Sequence, residues 1–422
     1  MIDRANWNDM SPSRPATPAA LVPRATACQC GRPVFFRNSQ CLACHTQLGY
    51  DPERARLLPL EPADRPGLWL AAGSRRRMPR YRRCANLDSA SACNWLLPEA
   101  DGANAQCRCC RLTRTLPDLS IEENQLRWGR IATAQRRLVS MLIVLGLPAR
   151  PPGSDPVLGL CFDLLAQLPG SAPVVTGHAD GVITLDMAEA DDAQREKRRN
   201  DLREPYRTLL GHLRHESGHY YWRRLVDNSP WLEPYRALFG DERSNYRAAL
   251  KQHYNNGPPA SWCDRHVTAY ASSHPWEDWA ETWAHYLHLV DTLDTARGFG
   301  MDSERVELHY ERWHAADLEA EHDADPEGFV DLVNGWMELT GVLNELSRSM
   351  GLADFYPFVL SRLALRKLHL VHRIVQAQQP QAPLGHQPAP NPPGLSADAP
   401  PDAPPAGPAH SSAGTALASG ET

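Results

Sequence analysis

Lysine is nearly missing from this chain. Only Lys197, Lys251 and Lys367 occur in 422 residues, and arginine supplies the rest of the 44 basic side chains. Against 50 acidic residues they leave a net charge of -6 and a pI near 6.3, which excludes a global pull toward nucleic acid. The preference for arginine reads as the composition of a GC-rich bacterial genome and carries no function. Long apolar runs are missing as well: the longest, Val139 to Leu147, is too short to span a bilayer. Met1 to Arg24 holds no apolar stretch of signal-peptide length. These absences predict a soluble cytoplasmic protein with no membrane partner. In such a compartment the eleven cysteines are expected as metal ligands and thiols, not as disulfides. The length allows two or more domains.

What is present centres on Leu209 to Trp222, which lies inside a run without proline whose apolar residues Leu209, Leu210, Leu213, Tyr220 and Leu225 recur at helical spacing. Inside it stands His215-Glu216-Ser217-Gly218-His219. Residues four apart on a helix share one face about 6 Å apart along the axis, so His215 and His219 can offer imidazole nitrogens to one metal ion. Glu216 projects beside them, where a carboxylate can act as general base on a water. Glu204-Pro205 is read as the launch of this helix. Gly211 and Gly218 weaken a helix, so close packing is the expected reason for them.

A partner helix is expected downstream from Pro275, capped by Ser273 or His274. Glu277 and Glu281 lie four apart on it. Glu277 is expected as the third zinc ligand, and Glu281 as acceptor of a hydrogen bond from the free ring nitrogen of a ligating histidine. His285 and His288 share that face, which leaves a three-histidine site as the alternative. Tyr270 is a candidate to steady an oxyanion, set against a plain packed aromatic.

Cys28-x-Cys30 and Cys41-x-x-Cys44, joined by a short hairpin, have the spacing of a structural zinc ribbon. Cys107-x-x-Cys110 repeats that knuckle spacing, and Cys84 with Cys93 can complete a second four-thiolate site, leaving Cys109 spare. Cys161 and Cys263 read as isolated buried thiols. Between the two groups, Arg75 to Arg83 forms a basic cluster with Tyr81 inside it, read here as a solvated loop and otherwise as a phosphate-binding surface.

After Pro117 the chain changes character. Ser120-Ile121-Glu122-Glu123 reads as a capping box that opens a helix running to about Leu145. Val174 to His178 and Val182 to Asp186, flanking Asp180-Gly181, read as a hairpin with His178 near its turn. Ala188 to Asn200 is a charged loop or short helix over the cleft. Asp241 to Tyr254 is expected to be the one helix between Pro230 and Asn256, and Phe329 to Met350 and Tyr356 to Ala377 are two further amphipathic helices. Residues 378–422 hold eleven of the thirty-seven prolines with almost no large apolar residue and cannot bury a core.

The Cys-x-Cys-Gly start at Cys28, the run from Cys110 to Ser120, Glu204-Pro205-Tyr206-Arg207 and His274-Pro275-Trp276-Glu277-Asp278 together resemble a family. It is the zinc-binding metallopeptidases with an N-terminal zinc-ribbon domain, a gluzincin-like group, and the resemblance covers roughly residues 25 to 376. It implies a peptidase fold and a zinc site, and it points to Glu277 as the third ligand, but it names no substrate. The expected fold is α+β: zinc ribbons over 25–117, then a mainly helical zincin-like domain with a small sheet over 118–377, between disordered segments 1–24 and 378–422. The expected cofactor is Zn2+, one catalytic and one or two structural. The expected activity is hydrolysis of a peptide or protein substrate, with the ribbons contacting a substrate or protein partner. The alternative is a nucleic-acid or protein-binding module carrying an inactive peptidase-like domain.

Overall fold

The computed structural model describes residues 22–74, 79–202, 208–319 and 325–379. The expected tails, 1–24 and 378–422, lie outside the described residues except at their inner ends, as do Arg75 to Arg77 and Glu204 to Arg207. Val22 and Arg24 are not part of a loose tail: both are buried, and the Val22 amide donates to Asp294 at 2.8 Å. The described residues from Val22 to Gln379 fall in one compact unit. Among the described residues no helix is long and apolar enough to cross a membrane.

The chain begins with β1 (Ala25–Ala27) and β2 (Pro33–Phe35), an antiparallel pair whose turn carries Cys28 and Cys30. Gly31 closes that turn at φ 79°, a left-handed conformation that costs glycine little. A five-stranded antiparallel meander follows, with β3 (Gln47–Asp51), β4 (Arg56–Pro62), β5 (Trp69–Ala71), β6 (Tyr81–Arg83) and β7 (Leu96–Pro98) in sequence order. Its two ends meet. Tyr50 on β3 bridges Trp95 just before β7, and a side chain on Gly49 would strike Leu96. This small closed sheet was not legible in the sequence, because its strands are three to seven residues long and lack steady alternation.

The helical half opens with α1 (Glu122–Val144), which ends at the expected Leu145. Its start differs from the expected capping box. Ile121 holds the cap position and makes no side-chain cap, while the Ser120 hydroxyl turns back to donate to Asp118 at 2.7 Å. A four-stranded sheet lies alongside, ordered β10 (Gly177–Ala179), β11 (Val182–Asp186), β9 (Cys161–Leu165) and β8 (Thr113–Thr115). The hairpin β10–β11 turns at Asp180 and Gly181 as expected, both at positive φ, with Ala179 opposite Val182. β9 pairs parallel to both β11 and β8, so the strand just after the second cysteine group belongs to this sheet.

The remaining helices are α2 (Asp192–Leu202), α3 (Leu209–Tyr221), α4 (Leu232–Phe239), α5 (Tyr246–Asn256), α6 (Pro275–Gly298), α7 (Pro326–Ser349) and α8 (Arg362–Gln376). Two helices, not one, fill the region expected to hold a single helix: Gly240 ends α4, and Asn245 caps α5 by accepting from the Ala248 amide. α8 begins at Arg362 behind its Ser361 cap, not at Tyr356. α3 and α6 form the centre of this half, with α1 and α8 against them. Trp279 and Trp283 of α6 are fully buried. Each such ring removes roughly 200 Å² from water, on the order of 4 kcal/mol.

Two buried ionic nodes lock the helices. Asp291 on α6 receives Arg24 at 2.8 Å, Arg137 of α1 at 2.7 Å and Arg214 of α3 at 2.5 Å, and these guanidinium groups hold its carboxyl well below the usual range against the cost of burial. Asp278 pairs with Lys367 of α8 at 2.6 Å, both essentially solvent-free.

Candidate metal centres

α3 starts where Thr208 accepts from the Gly211 amide at 2.9 Å, four residues after the launch expected at Glu204-Pro205, which lies outside the described residues. The helix then runs through the His-Glu-x-x-His segment with Glu216, Ser217, Gly218 and His219 all buried. Gly218 has the packing reason expected of it. A Cβ there would come within 2.9 Å of the Ala280 Cα, so glycine lets α3 and α6 approach closely. The Trp279 indole donates to the Gly218 carbonyl at 2.8 Å, and the Trp283 indole to the Ser217 hydroxyl at 3.2 Å. The two unspecified positions of the motif are thus fixed by helix packing.

α6 begins as expected at Pro275. His274 caps it by accepting from the Trp276 amide at 3.1 Å through Nδ1, while its Nε2 faces the Ser244 hydroxyl and carbonyl. One turn in, Glu277 lies between the two histidines: one carboxylate oxygen is 3.1 Å from His215 Nε2 and the other 3.5 Å from His219 Nε2. Glu281, one turn further, accepts from His215 Nδ1 at 2.6 Å and from the Thr268 hydroxyl at 2.7 Å. One ligand atom from each of His215, His219 and Glu277 lies within 4.8 Å of the others, so the three can hold one metal ion.

The electrostatics follow from this crowding. Burial opposes charge on His215, yet the hydrogen bonds to Glu277 and Glu281 outweigh it and hold the imidazole well above its ordinary range. Glu277 is likewise disfavoured by burial but held well below the carboxylate range by His219 and His215. For Glu216 burial is the larger effect: it raises the carboxyl although His215 and His219 pull it down. A raised carboxylate beside two imidazoles is suited to taking up a proton.

His285 and His288 do not join the cluster. His285 pairs with the Tyr356 hydroxyl, and His288 Nδ1 lies 2.5 Å from the Arg214 guanidinium. Tyr270 sits half-buried with its ring 6.0 Å from that of His215. His178 is on β10, where its Nε2 accepts from the Gly181 amide and its ring stacks 6.4 Å from His219. Sequence reasoning missed three neighbours of the cluster. The Tyr246 phenol donates to Glu277 at 2.7 Å, Thr268 holds Glu281, and the Trp276 ring lies 4.2 Å from that of His219. Trp276 stood in the quoted motif, but no spacing rule connects Tyr246 or Thr268 to a ligand.

The cysteines gather into the two expected groups, Cys28, Cys30, Cys41, Cys44 and Cys84, Cys93, Cys107, Cys110, each within 4.8 Å. Sulfur separations of 3.6 Å (Cys28 to Cys44) and 3.8 Å (Cys30 to Cys41) match the roughly 3.8 Å edge of a tetrahedral zinc–thiolate site. In the first group the Thr46 hydroxyl bonds Cys44 and pushes that thiol down to about 6. In the second, the Cys107 amide donates to Cys84 at 3.3 Å, a backbone bond that favours the Cys84 thiolate, and the Cys110 amide to Cys107 at 3.4 Å, while burial pushes the Cys107 thiol up. Cys109 is buried but outside the group. Cys161 is buried in β9, whereas Cys263, expected to be buried, is exposed on a short turn.

Of the described arginines of the basic cluster, Arg83 and Arg82 turn onto the sheet backbone while Arg80 makes a surface ion pair. Arg83 donates to Gln47 and to the Ser39 and Leu48 carbonyls, Arg82 to the Glu99 carbonyl, and Arg80 pairs with Asp64.

Comparison with known proteins agrees with this geometry. Residues 124–374 match the family described as "Putative zinc-binding metallo-peptidase", and residues 25–121 match a zinc-ribbon domain. The chain belongs to that zinc-binding metallopeptidase family and carries its zinc ribbon at the N-terminal side. Uncharacterized proteins of Mycobacterium bovis and Mycobacterium tuberculosis are 40% identical to it over 361 residues, 85% of this chain and 96% of theirs. No solved structure matches.

Proposed function

We propose that the protein is a zinc-dependent peptidase in which His215, His219 and Glu277 hold the catalytic ion and Glu216 is the general base. The observation that carries this reading is the convergence of two imidazole Nε2 atoms on one buried carboxylate, with a fourth group, Glu281, turning His215 so that its Nε2 faces inward. Two imidazoles and a carboxylate are a donor set suited to catalytic zinc. When bound, zinc supplies Lewis-acid chemistry, polarising a carbonyl and making water acidic near neutral pH. Glu216, buried and raised, takes the proton from the attacking water and returns it to the departing amine nitrogen. Glu281 and Thr268 keep His215 in one tautomer and orientation.

The two cysteine groups are read as structural zinc sites, and a reducing cytoplasmic compartment would keep their thiols free to ligate. A peptide or protein is the substrate class, and the ribbon half is the surface offered to a substrate or protein partner. Elemental analysis of purified protein beside a His215→Ala/Glu277→Ala variant tests the reading. About three zinc ions per chain falling to about two supports it. An unchanged count empties the helical site and ends the proposal.

A further inference from the structure

Tyr246 reaches the metal cluster from a segment built unlike the rest of the site. Helix α5, which Tyr246 opens, has no buried residue along its eleven positions. Glycines in positive-φ conformations bound the segment on both sides, Gly240 at 104° and Gly257 at 76°. Gly240 lies against Pro275, where a Cβ would approach the proline ring to 3.2 Å, so one hinge adjoins the first residue of the ligand-bearing helix. The contacts that tie the segment to the body are largely polar or between rings. Ser244 meets His274, Glu242 pairs with Arg236 of α4, the His253 ring lies 5.9 Å from Tyr270, and the Tyr246 ring lies 5.2 Å from His274. It reaches the cluster through the phenol on Glu277, and the Tyr246 ring also lies 6.0 Å from that of Trp276.

We propose that residues 240–257 form a hinged lid over the metal cluster and that Tyr246 is its latch, a positioning residue that holds Glu277 when the lid is closed. The geometry gives the latch two consequences. Closed, the phenol fixes the rotation of the Glu277 carboxylate, one oxygen of which faces His215. Open, the segment uncovers the side of the cluster where Glu277 lies and frees that carboxylate. Lid position and ligand geometry are therefore linked through one hydrogen bond.

This inference rests on the metal-site reading above, and the test separates the two. Full-length zinc-loaded protein and Tyr246→Phe are compared by chelator competition and by limited trypsin digestion. Tyr246 is half-exposed and the substitution removes only a hydroxyl, so the variant retains its fold, which thermal melting checks. The expected result is zinc binding weaker by about 10- to 100-fold at the helical site alone, with the cysteine sites unchanged and cleavage at the exposed Arg247 and Lys251 several-fold faster. A merely structural tyrosine would shift the melting temperature without singling out one metal site. Unchanged affinity overturns the latch, and unchanged cleavage overturns the lid. Wild-type protein with no metal at the helical site would refute the proposed function instead.

Discussion

The two halves of this chain assemble their metal-binding groups in opposite ways. In the ribbon half, three pairs of ligands lie two or three residues apart on tight turns while Cys84 and Cys93 are nine apart, and four of the eight, Cys84, Cys93, Cys107 and Cys110, are all buried. Structural zinc sites of this kind contribute folding energy when the metal is bound. In the helical half, His215 and Glu277 are 62 residues apart and meet because two helices are locked together by tryptophans, a glycine contact and buried ion pairs. There the fold makes the site; in the ribbons, under the function proposed above, bound metal would help to make the fold. Within the ribbon half the contrast repeats on a smaller scale. Cys30 and Cys44 of the first group are exposed, while the second group is wedged beneath α1, where Gly129 lies on the Ala90 carbonyl and Arg136 donates to Ser91 at 3.0 Å.

The largest effect that separates the halves is chemical. Glu216→Gln is expected to lower peptide hydrolysis by about 10²- to 10⁴-fold with zinc content and melting temperature unchanged; substantial remaining turnover would remove Glu216 from the reaction. Next comes the contrast between the two cysteine groups. Cys107→Ser takes a ligand from a buried cluster and is expected to cost on the order of 4 kcal/mol, measured by denaturant unfolding. Cys44→Ser, at the exposed cluster, is expected to cost about 1 kcal/mol. Equal losses would erase the distinction.

Smaller effects test how the fold supports the helical site. Glu281→Gln should weaken zinc at that site by about 10- to 100-fold and leave the cysteine sites untouched, as a chelator titration would report. Gly218→Ala should destabilise by about 1 to 2 kcal/mol net. Crowding at the Ala280 backbone outweighs the roughly 1 kcal/mol gained in helix propensity. Thermal unfolding measures the loss, and a gain in stability would show that α3 and α6 are not closely apposed.

Much of the site was legible because its parts are local. Two histidines one turn apart, two glutamates one turn apart and close cysteine pairs are patterns that the 3.6-residue repeat and turn geometry translate directly into shared faces. Gly218 was legible as a contact because glycine inside a helix needs a reason. The expectations that failed were those where several local patterns compete. Ser120 offered a capping box and instead bonded Asp118, one helix was expected where Gly240 divides two, and Cys263 was expected to be buried. The closed sheet of β3 to β7 left no signal, since its short strands pair with neighbours that period-two alternation cannot identify.

The sequence by itself determined which side chains could serve as ligands and base, and that His215 with His219, Glu277 with Glu281 and the paired cysteines would each face one way. Only the tertiary structure decided what these faces meet. It brought Glu277 to both imidazoles while sending His285 to Tyr356 and His288 to Arg214, placed Tyr246 on the carboxylate, and turned Arg83 of the basic cluster onto Gln47 and the neighbouring carbonyls. Secondary structure fixes direction over a few residues, but contacts between distant segments depend on how whole faces pack, which burial and buried ion pairs settle together.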